Sequence, residues 1–215
     1  SIVAQFKAFS IMKPLYLKKV FFVGEIMPIK YLNYWKSNLE NVSFYNLYGS
    51  SETAGIVCYY EIKDILEECD KIPIGRPLSN ANIYLINDNN ELCKNGEHGE
   101  ICISGEMLAK GYYKNLSLTQ KCFVQNPLND KYIEIIYKTG DLGYYDENGE
   151  LIYSGRRDFQ IKHMGQRIEL TDIEAVCLTI CEIKECCCCY NFDKKRIVLF
   201  YSLYDYDENF KSVLI

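Results

Sequence analysis

Apolar and polar positions near the start of the chain predict a strand, a helix and a second strand. Residues 20–23 form a short apolar run that ends at Gly24, which is typical of a buried strand. Between residues 29 and 39 the apolar positions recur at helical spacing, and residues 42–47 are again strand-like. This order predicts a parallel βαβ unit, and open α/β sheets bind ligands at the carboxyl ends of such strands.

Strand patterns dominate the rest of the chain. Alternating or apolar runs predict strands at residues 81–86, 100–104, 183–190 and 196–204, with a short helix at residues 115–123. The sequence DENG at residues 146–149 predicts a β-hairpin between two aromatic runs. Thr139-Gly140-Asp141 predicts a glycine-flanked turn. Thr171, with Glu174 three residues later, predicts the N-cap of another helix.

The cysteines are numerous, and four of them are adjacent, Cys186-Cys187-Cys188-Cys189. Zinc sites usually place paired cysteines on turns. An unbroken run before an apolar segment instead favours a strand that sends Cys186 and Cys188 to one face and Cys187 and Cys189 to the other. Metal or redox chemistry is the alternative. Thiols used as small apolar residues fit a reducing compartment, so we expect a cytoplasmic protein.

Length, charge and hydropathy narrow the class of protein. The chain has 215 residues and a net charge of -5, so it lacks the basic surface that nucleic-acid binding requires. The sequence contains no apolar run of membrane-spanning length and no signal peptide, so we expect no membrane partner. It begins with Ser1 instead of Met, which fits a processed or excised fragment.

The segment NLYGSSE, residues 46–52, carries groups suited to a nucleotide. Tyr48 offers a ring on which a base can stack, and Gly49 allows the backbone to approach a phosphate closely. Ser51 offers a hydroxyl, and Glu52 is a hard oxygen ligand suited to magnesium. A serine-rich turn that caps a short helix, with Tyr48 as ordinary packing, explains the same residues without a ligand.

Two residues further along the chain also carry groups suited to a nucleotide. The carboxylate of Asp141 can accept two hydrogen bonds from a ribose diol. The guanidinium of Arg156 suits an oxyanion. Asp158 follows closely and could be a charge partner of Arg156 or Arg157.

Three segments, in order, resemble the motif blocks of the adenylate-forming (AMP-binding) superfamily. They are NLYGSSET at residues 46–53, GEICISGEMLAKGYYKNLSLTQKCF at 99–123 and YKTGDLGYYDENGELIYSGRRDFQIKHMGQRIELTDIE at 137–174. The third block is most similar to the amino acid adenylation domains of nonribosomal peptide synthetases and to D-alanine–carrier protein ligases.

The resemblance implies a role for each matching residue. In the nucleotide site, Ser51 and Glu52 would be catalytic, with Ser51 on the α-phosphate and Glu52 on Mg²⁺. Ser51 stands where the family has threonine and keeps the hydroxyl. The residues that would bind the nucleotide are Asn46, Tyr48, Gly49, Ser51, Asp141 and Arg156.

The resemblance also implies a substrate pocket and a mobile segment. The pocket residues would be Phe21, Val23, Gly24, Leu47 and Gly55, which favours a small or apolar substrate side chain, although Phe21 and Val23 could be ordinary core residues. Asp158 would be the hinge. The loop that forms the thioester would include Lys162, Gly165 and Arg167.

The implied architecture is α/β followed by α+β. Residues 1–157 would be the C-terminal portion of the large AMP-binding domain, a βαβ sheet plus a β-rich subdomain. Residues 158–215 would be the start of the small, mobile C-terminal domain. The family's phosphate loop and its C-terminal catalytic lysine have no counterpart in this sequence, so we expect the isolated chain to be inactive.

The implied reaction has two steps. A carboxylic acid, favoured to be an amino acid, reacts with ATP and Mg²⁺ to give an acyl-adenylate and pyrophosphate. The acyl group then passes to a thiol, either the phosphopantetheine of a carrier protein or CoA. The alternatives are a fatty or aryl acyl-CoA ligase and a non-catalytic relic that binds a carrier protein.

Overall fold

The computed structural model describes residues 2–67, 70–157, 160–163, 166–191 and 194–204. The chain forms two compact units, Ser1–Arg157 and Asp158–Ile215, which we call the first and second units. The first unit opens with the short helix α1 (Ile2–Gln5) and a single 3-10 turn at Ala8–Ser10. Both units mix helices with sheets, as predicted.

A four-stranded sheet forms the first part of the first unit. Its strands, in order across the sheet, are β1 (Lys19–Val23), β2 (Ser43–Ser50), β3 (Gly55–Glu61) and β4 (Arg76–Pro77). β1 and β2 run parallel and are connected by α2 (Ile29–Asn38), which confirms the predicted βαβ unit. β2 continues past its predicted end at residue 47 because the antiparallel β3 pairs with it as far as Ser50.

The side chains of this sheet divide between a buried and an exposed face. Val20 of β1, Phe44 of β2 and Leu32 of α2 belong to one apolar cluster and are at most 9% exposed. Burial of side chains of this size contributes about 1.5–3 kcal/mol each, so it fixes the helix against the sheet. Phe21 and Val23 point to the opposite face, because successive side chains of a strand alternate.

An antiparallel sheet forms the rest of the first unit. Its strands along the chain are β5 (Ala81–Ile86), β6 (Gly99–Gly105), β7 (Phe123–Gln125), β8 (Ile135–Tyr145) and β9 (Leu151–Arg156). Across the sheet the order is β5, β6, β8 and β7, and β9 pairs with β8 to form the predicted hairpin. The helix α3 (Leu116–Cys122) precedes β7, and its first turn is capped by Asn115 Oδ1, which accepts the Leu118 N–H at 3.0 Å.

Thr139-Gly140-Asp141 is an irregular part of β8, so the predicted turn is wrong. The pairing of β6 with β8 shifts register at this point, and Gly140 has a φ of 74°. The Thr139 hydroxyl donates to the Ile101 carbonyl at 2.7 Å, and the Gly140 N–H donates to a Glu100 carboxylate oxygen at 3.0 Å. These bonds hold the strand to its neighbour across the irregularity. Glycine in a strand is as typical of a bulge as of a turn.

The second unit contains two antiparallel strand pairs and a helix. The elements are β10 (Gln160–His163), β11 (Gln166–Glu169), α4 (Leu170–Cys177), β12 (Ile183–Asn191) and β13 (Arg196–Leu203). β10 pairs with β11, and β12 pairs with β13. The predicted N-cap at Thr171 is wrong, since the helix begins at Leu170. Leu170 is 5% exposed and packs with Ile161 and Cys188, so apolar burial sets the start of the helix.

The cysteines that the structure describes are all thiols. The run at residues 186–189 lies on β12, where Cys188 is buried and Cys187 and Cys189 are exposed, which confirms the predicted strand. In the first unit, Cys58 and Cys102 are completely buried, and burial raises the pKa of each thiol to about 12. Across the described ranges, no helix is long and apolar enough to cross a bilayer.

Candidate functional site

Three of the predicted nucleotide-binding residues meet in one buried cluster, which we call the Asp141 cluster. The Tyr48 hydroxyl donates to Asp141 Oδ2 at 2.6 Å, and Arg156 Nη1 donates to Asp141 Oδ1 at 2.7 Å. Asp141 and Arg156 are directly opposite each other on β8 and β9, so the hairpin sets this ion pair. β2 supplies Tyr48 from 93 residues earlier in the chain.

The environment of the cluster fixes which group donates and which accepts. Tyr48 and Asp141 are each 9% exposed. Burial, followed by the negative charge of Asp141 and the hydrogen bond to it, raises the pKa of Tyr48 well above its ordinary value, so the hydroxyl stays protonated. A carboxylate has about four acceptor positions, so two donors leave roughly two for a further ligand.

The ring of Tyr48 packs in the core, together with Val57 and Ile101. The alternative given by the sequence, that Tyr48 is a packing residue, therefore describes most of its ring. Base stacking by Tyr48 stays a prediction.

A tyrosine that the sequence did not single out holds Glu52. Glu52 is 7% exposed, and its Oε1 accepts the Tyr112 hydroxyl at 2.7 Å. The Glu52 carbonyl also accepts the Ala109 N–H at 2.8 Å. Burial, followed by the hydrogen bond to Glu52, raises the pKa of Tyr112, so it remains the donor. Tyr112 lies within the glycine-flanked motif block, but sequence gives no signal for a partner 60 residues away.

The other predicted nucleotide-binding residues lie on or next to β2 and have different surroundings. Asn46 Nδ2 donates to the Pro73 carbonyl at 2.8 Å. A side chain on Gly49 would overlap the backbone carbonyl of Gly55, so the close approach of β3 already requires glycine there. Ser51 is exposed and begins a 3-10 turn, Ser51–Thr53. Their contacts with a nucleotide stay predictions.

The predicted pocket residues lie on the exposed face of the first sheet and at its strand ends. Val23 and Leu47 are paired in the parallel register and share this face with Phe21. Phe21 and Val23 each keep 55% exposure, so the alternative that they are core residues is wrong for this chain. Gly24 and Gly55 have φ values of 95° and 113°, and a Cβ added to either would meet no heavy atom within 4 Å.

The predictions for the second unit are only partly covered by the structure. The hinge residue Asp158 and the loop residue Gly165 lie outside the described residues. Lys162 lies in β10 and Arg167 in β11, where their backbones are paired. The roles of all four residues stay predictions.

Comparison with known proteins identifies the family. The model of the AMP-binding enzyme family matches residues 4–113. Surfactin synthase subunit 1 of Bacillus subtilis (strain 168) is 36% identical over 158 residues, which are 74% of this chain and 4% of that protein. Tyrocidine synthase 3 of Brevibacillus parabrevis is 38% identical over 162 residues, which are 75% of this chain and 2% of that protein.

Solved structures also match this chain over most of its length. The crystal structure of IdnL1 matches with a TM-score of 0.83 and 25% identity, over 89% of this chain and 40% of that one. PA1221, described as an NRPS protein containing adenylation and PCP domains, matches with a TM-score of 0.75 and 26% identity, over 86% of this chain and 37% of that one.

The chain belongs to the family of AMP-binding enzymes. Within it, the chain is similar to the adenylation domains of nonribosomal peptide synthetases, as its motifs predicted. It spans less than half the length of these solved structures and a few per cent of the synthases.

Proposed function

We propose that this chain is the rear part of an amino acid adenylation domain. In this proposal, residues 1–157 are the C-terminal portion of the large AMP-binding domain, and residues 158–215 begin the small mobile domain. The observation that carries the proposal is the Asp141 cluster, in which two separate motif blocks supply one buried carboxylate with a phenol and a guanidinium. The described cysteines are free thiols, and several of them are exposed. Exposed thiols persist in a reducing compartment, which supports a cytoplasmic location.

Asp141 and Arg156 are proposed to hold the ribose end of the nucleotide. The Asp141 carboxylate retains acceptor capacity beyond its two present donors, which suits two ribose hydroxyls. Arg156 is held in place by the ion pair, so its remaining N–H groups keep a fixed direction. Tyr48 orients the carboxylate from the other side.

Glu52 fits the expected magnesium ligand in chemistry. Magnesium is usually held by one or two carboxylates and by phosphate oxygens of the substrate, and it keeps several waters. The described part of the chain contains no group of three or more His, Cys, Asp or Glu residues that could hold a metal. When bound, the ion neutralises phosphate charge, while Tyr112 fixes the Glu52 carboxylate.

The proposed reaction of the parent protein is carboxylate activation. An oxygen of the acid attacks the α-phosphorus of ATP, the bond to the β-phosphate oxygen breaks, and pyrophosphate leaves. Positioning and charge stabilisation account for most of the catalysis in such displacements. A phosphopantetheine thiol then attacks the acyl carbon, AMP leaves, and the thiol proton passes to solvent.

A carrier protein is the favoured acceptor. Structures that match this chain include adenylation domains joined to PCP domains. Open space beside Gly24 and Gly55, together with the exposed Phe21 and Val23, supports a small or apolar substrate side chain. The competing candidate is an acyl-CoA ligase, which would transfer the acyl group to CoA and would leave a holo-carrier unmodified.

The nucleotide site is tested by calorimetric titration of the chain with AMP. We expect Asp141→Asn to abolish binding. The matched control is Asp88→Asn, because Asp88 also pairs with an arginine, Arg157, at 2.8 Å but is 85% exposed. Equal affinity of the wild type and Asp141→Asn would contradict the proposed role, provided that far-ultraviolet circular dichroism shows both variants folded.

The activity is tested by ATP–pyrophosphate exchange against a panel of amino and fatty acids. This chain is compared with a version extended to its natural flanks. Exchange only in the extended protein, with one preferred amino acid, is the expected result. Exchange by these 215 residues alone would contradict the expected inactivity of the isolated chain, and no exchange in either protein would favour a non-catalytic carrier-binding domain.

A further inference from the structure

The outer face of the β12–β13 pair carries two thiols in contact. Cys187 Sγ and Cys189 Sγ lie 4.0 Å apart on β12, and both residues are exposed. Their partners on β13 are Phe200 and Val198, so the rigid strand pairing holds the two cysteines in register. The proposed adenylation chemistry uses neither thiol.

The separation of the sulfurs suits a bridging metal better than a disulfide. A metal about 2.3 Å from each sulfur, the usual thiolate distance on zinc, would span 4.0 Å at an angle of about 120°. A disulfide needs its sulfurs about 2.05 Å apart. Residues two apart on a strand have Cα atoms about 6.6 Å apart, which is close to the upper limit for that bond.

The surroundings of the two thiols add negative charge. The hydrogen bond with Cys189, followed by its charge, raises the pKa of the Cys187 thiol, and the carboxylate of Glu174 contributes in the same direction. Within the described ranges, no group of three or more potential ligands forms around the pair. Structural zinc sites are closed by four protein ligands, so this geometry does not favour zinc.

We propose that Cys187 and Cys189 form a binding site for copper(I). Soft thiolates select this soft cation, and copper(I) accepts two thiolates with one external ligand such as a small-molecule thiol. On binding, each S–H bond breaks, two sulfur–copper bonds form, and two protons pass to the buffer. No electron is transferred, because copper enters and stays in the monovalent state.

The test is competition for copper(I) with a chromophoric chelator under reducing, oxygen-free conditions, using the whole chain. We expect Cys187→Ser and Cys189→Ser each to take up one copper fewer per chain than the wild type. The matched control is Cys181→Ser, because Cys181 is an exposed thiol whose hydrogen-bond partner is Glu182. We expect this variant to keep the wild-type capacity.

Several results would overturn the site. One is an unchanged copper capacity in the Cys187 and Cys189 variants. Another is a loss of copper in the Cys181 variant as large as the loss in those two variants. A third is that Cys187 and Cys189 retain zinc as well as they retain copper(I). A second measurement needs no substitution: bound copper should protect Cys187 and Cys189 of the wild type from alkylation, as mapped by peptide mass. Alkylation of both residues at the same rate with and without copper would also refute the proposal.

Discussion

Removing the Tyr48 hydroxyl tests the Asp141 cluster most directly. Tyr48→Phe keeps the ring in the core and deletes the donor that lies 2.6 Å from Asp141 Oδ2. Asp141 keeps its ion pair with Arg156, so the change removes the contacts of the Tyr48 hydroxyl, with Asp141 and with the Thr139 side chain, and leaves the ion pair in place. Burial, above all, raises the pKa of Tyr48 further above its ordinary value, so the hydroxyl is the donor in this bond.

The expected loss follows from the charge and burial of the acceptor. A hydrogen bond to a charged group contributes about 1.5–3 kcal/mol to stability. Tyr48 and Asp141 are both 9% exposed, so water replaces the lost donor poorly. We expect the free energy of unfolding of the first unit to fall by about 2 kcal/mol, which is roughly a 30-fold change in the unfolding equilibrium.

A single tryptophan makes the unfolding of the first unit measurable by fluorescence. This residue, Trp35, lies on α2 in the first unit. The rings of Phe9 and Phe22 contact it edge-on, with centroids 4.9 and 6.1 Å away. Tryptophan fluorescence in urea therefore reports the unfolding of the first unit alone, and the midpoint at constant slope gives the change in stability.

The matched control is Tyr45→Phe on the same strand. The Tyr45 hydroxyl donates to a Glu61 carboxylate oxygen at 3.2 Å, but this pair is exposed. We expect this substitution to change the stability by no more than about 0.5 kcal/mol. Equal losses for Tyr45→Phe and Tyr48→Phe would refute the claim that burial makes the Tyr48–Asp141 bond strong.

Three further predictions concern other parts of the first unit. Gly49→Ala should cost more than the roughly 1–3 kcal/mol of ordinary overpacking, measured by urea unfolding, because the new Cβ would overlap a backbone carbonyl. Tyr112→Phe should weaken magnesium-dependent nucleotide binding about tenfold in calorimetry, by loss of the bond to Glu52, whereas Tyr113→Phe, at a ring that is 88% exposed, should not. Burial acts to raise the pKa of Glu134, but hydrogen bonds from two asparagines, a serine and a tyrosine outweigh it and lower the pKa to about 2. The contribution of the Glu134 carboxylate to the free energy of unfolding is therefore complete above pH 4.5 and is lost as the pH falls toward about 2. If Glu134→Gln loses as much stability in acid as the wild type does, this reasoning is contradicted.

Local patterns were sufficient to predict most of the elements. The βαβ unit followed from apolar periodicity, and the β8–β9 hairpin followed from the turn at residues 146–149. The cysteine strand followed from simple alternation. These features depend on neighbours in sequence, which is why the pattern reveals them.

Features that depend on distant contacts could not be predicted in the same way. Gly140 indicated a turn, but the bonds of Thr139 and Gly140 to β6 keep the segment in the sheet. The start of α4 is set by the burial of Leu170 and not by a cap at Thr171. The family motifs brought Asp141 and Arg156 forward as candidates, whereas the bond from Tyr112 to Glu52 joins residues that no local pattern relates.

The burial of Cys58 and Cys102 has a practical consequence for measuring motion. Thiolates, not thiols, react with alkylating reagents, and burial both shields the two sulfurs and raises the pKa of each thiol to about 12, so neither residue reacts while it stays buried. Each must be exposed by a local or complete opening before it can be modified. The rate at which a reagent alkylates each cysteine in buffer without denaturant therefore measures how often that residue becomes exposed. When reclosing is fast, this rate gives the free energy of opening of the strand that carries the residue.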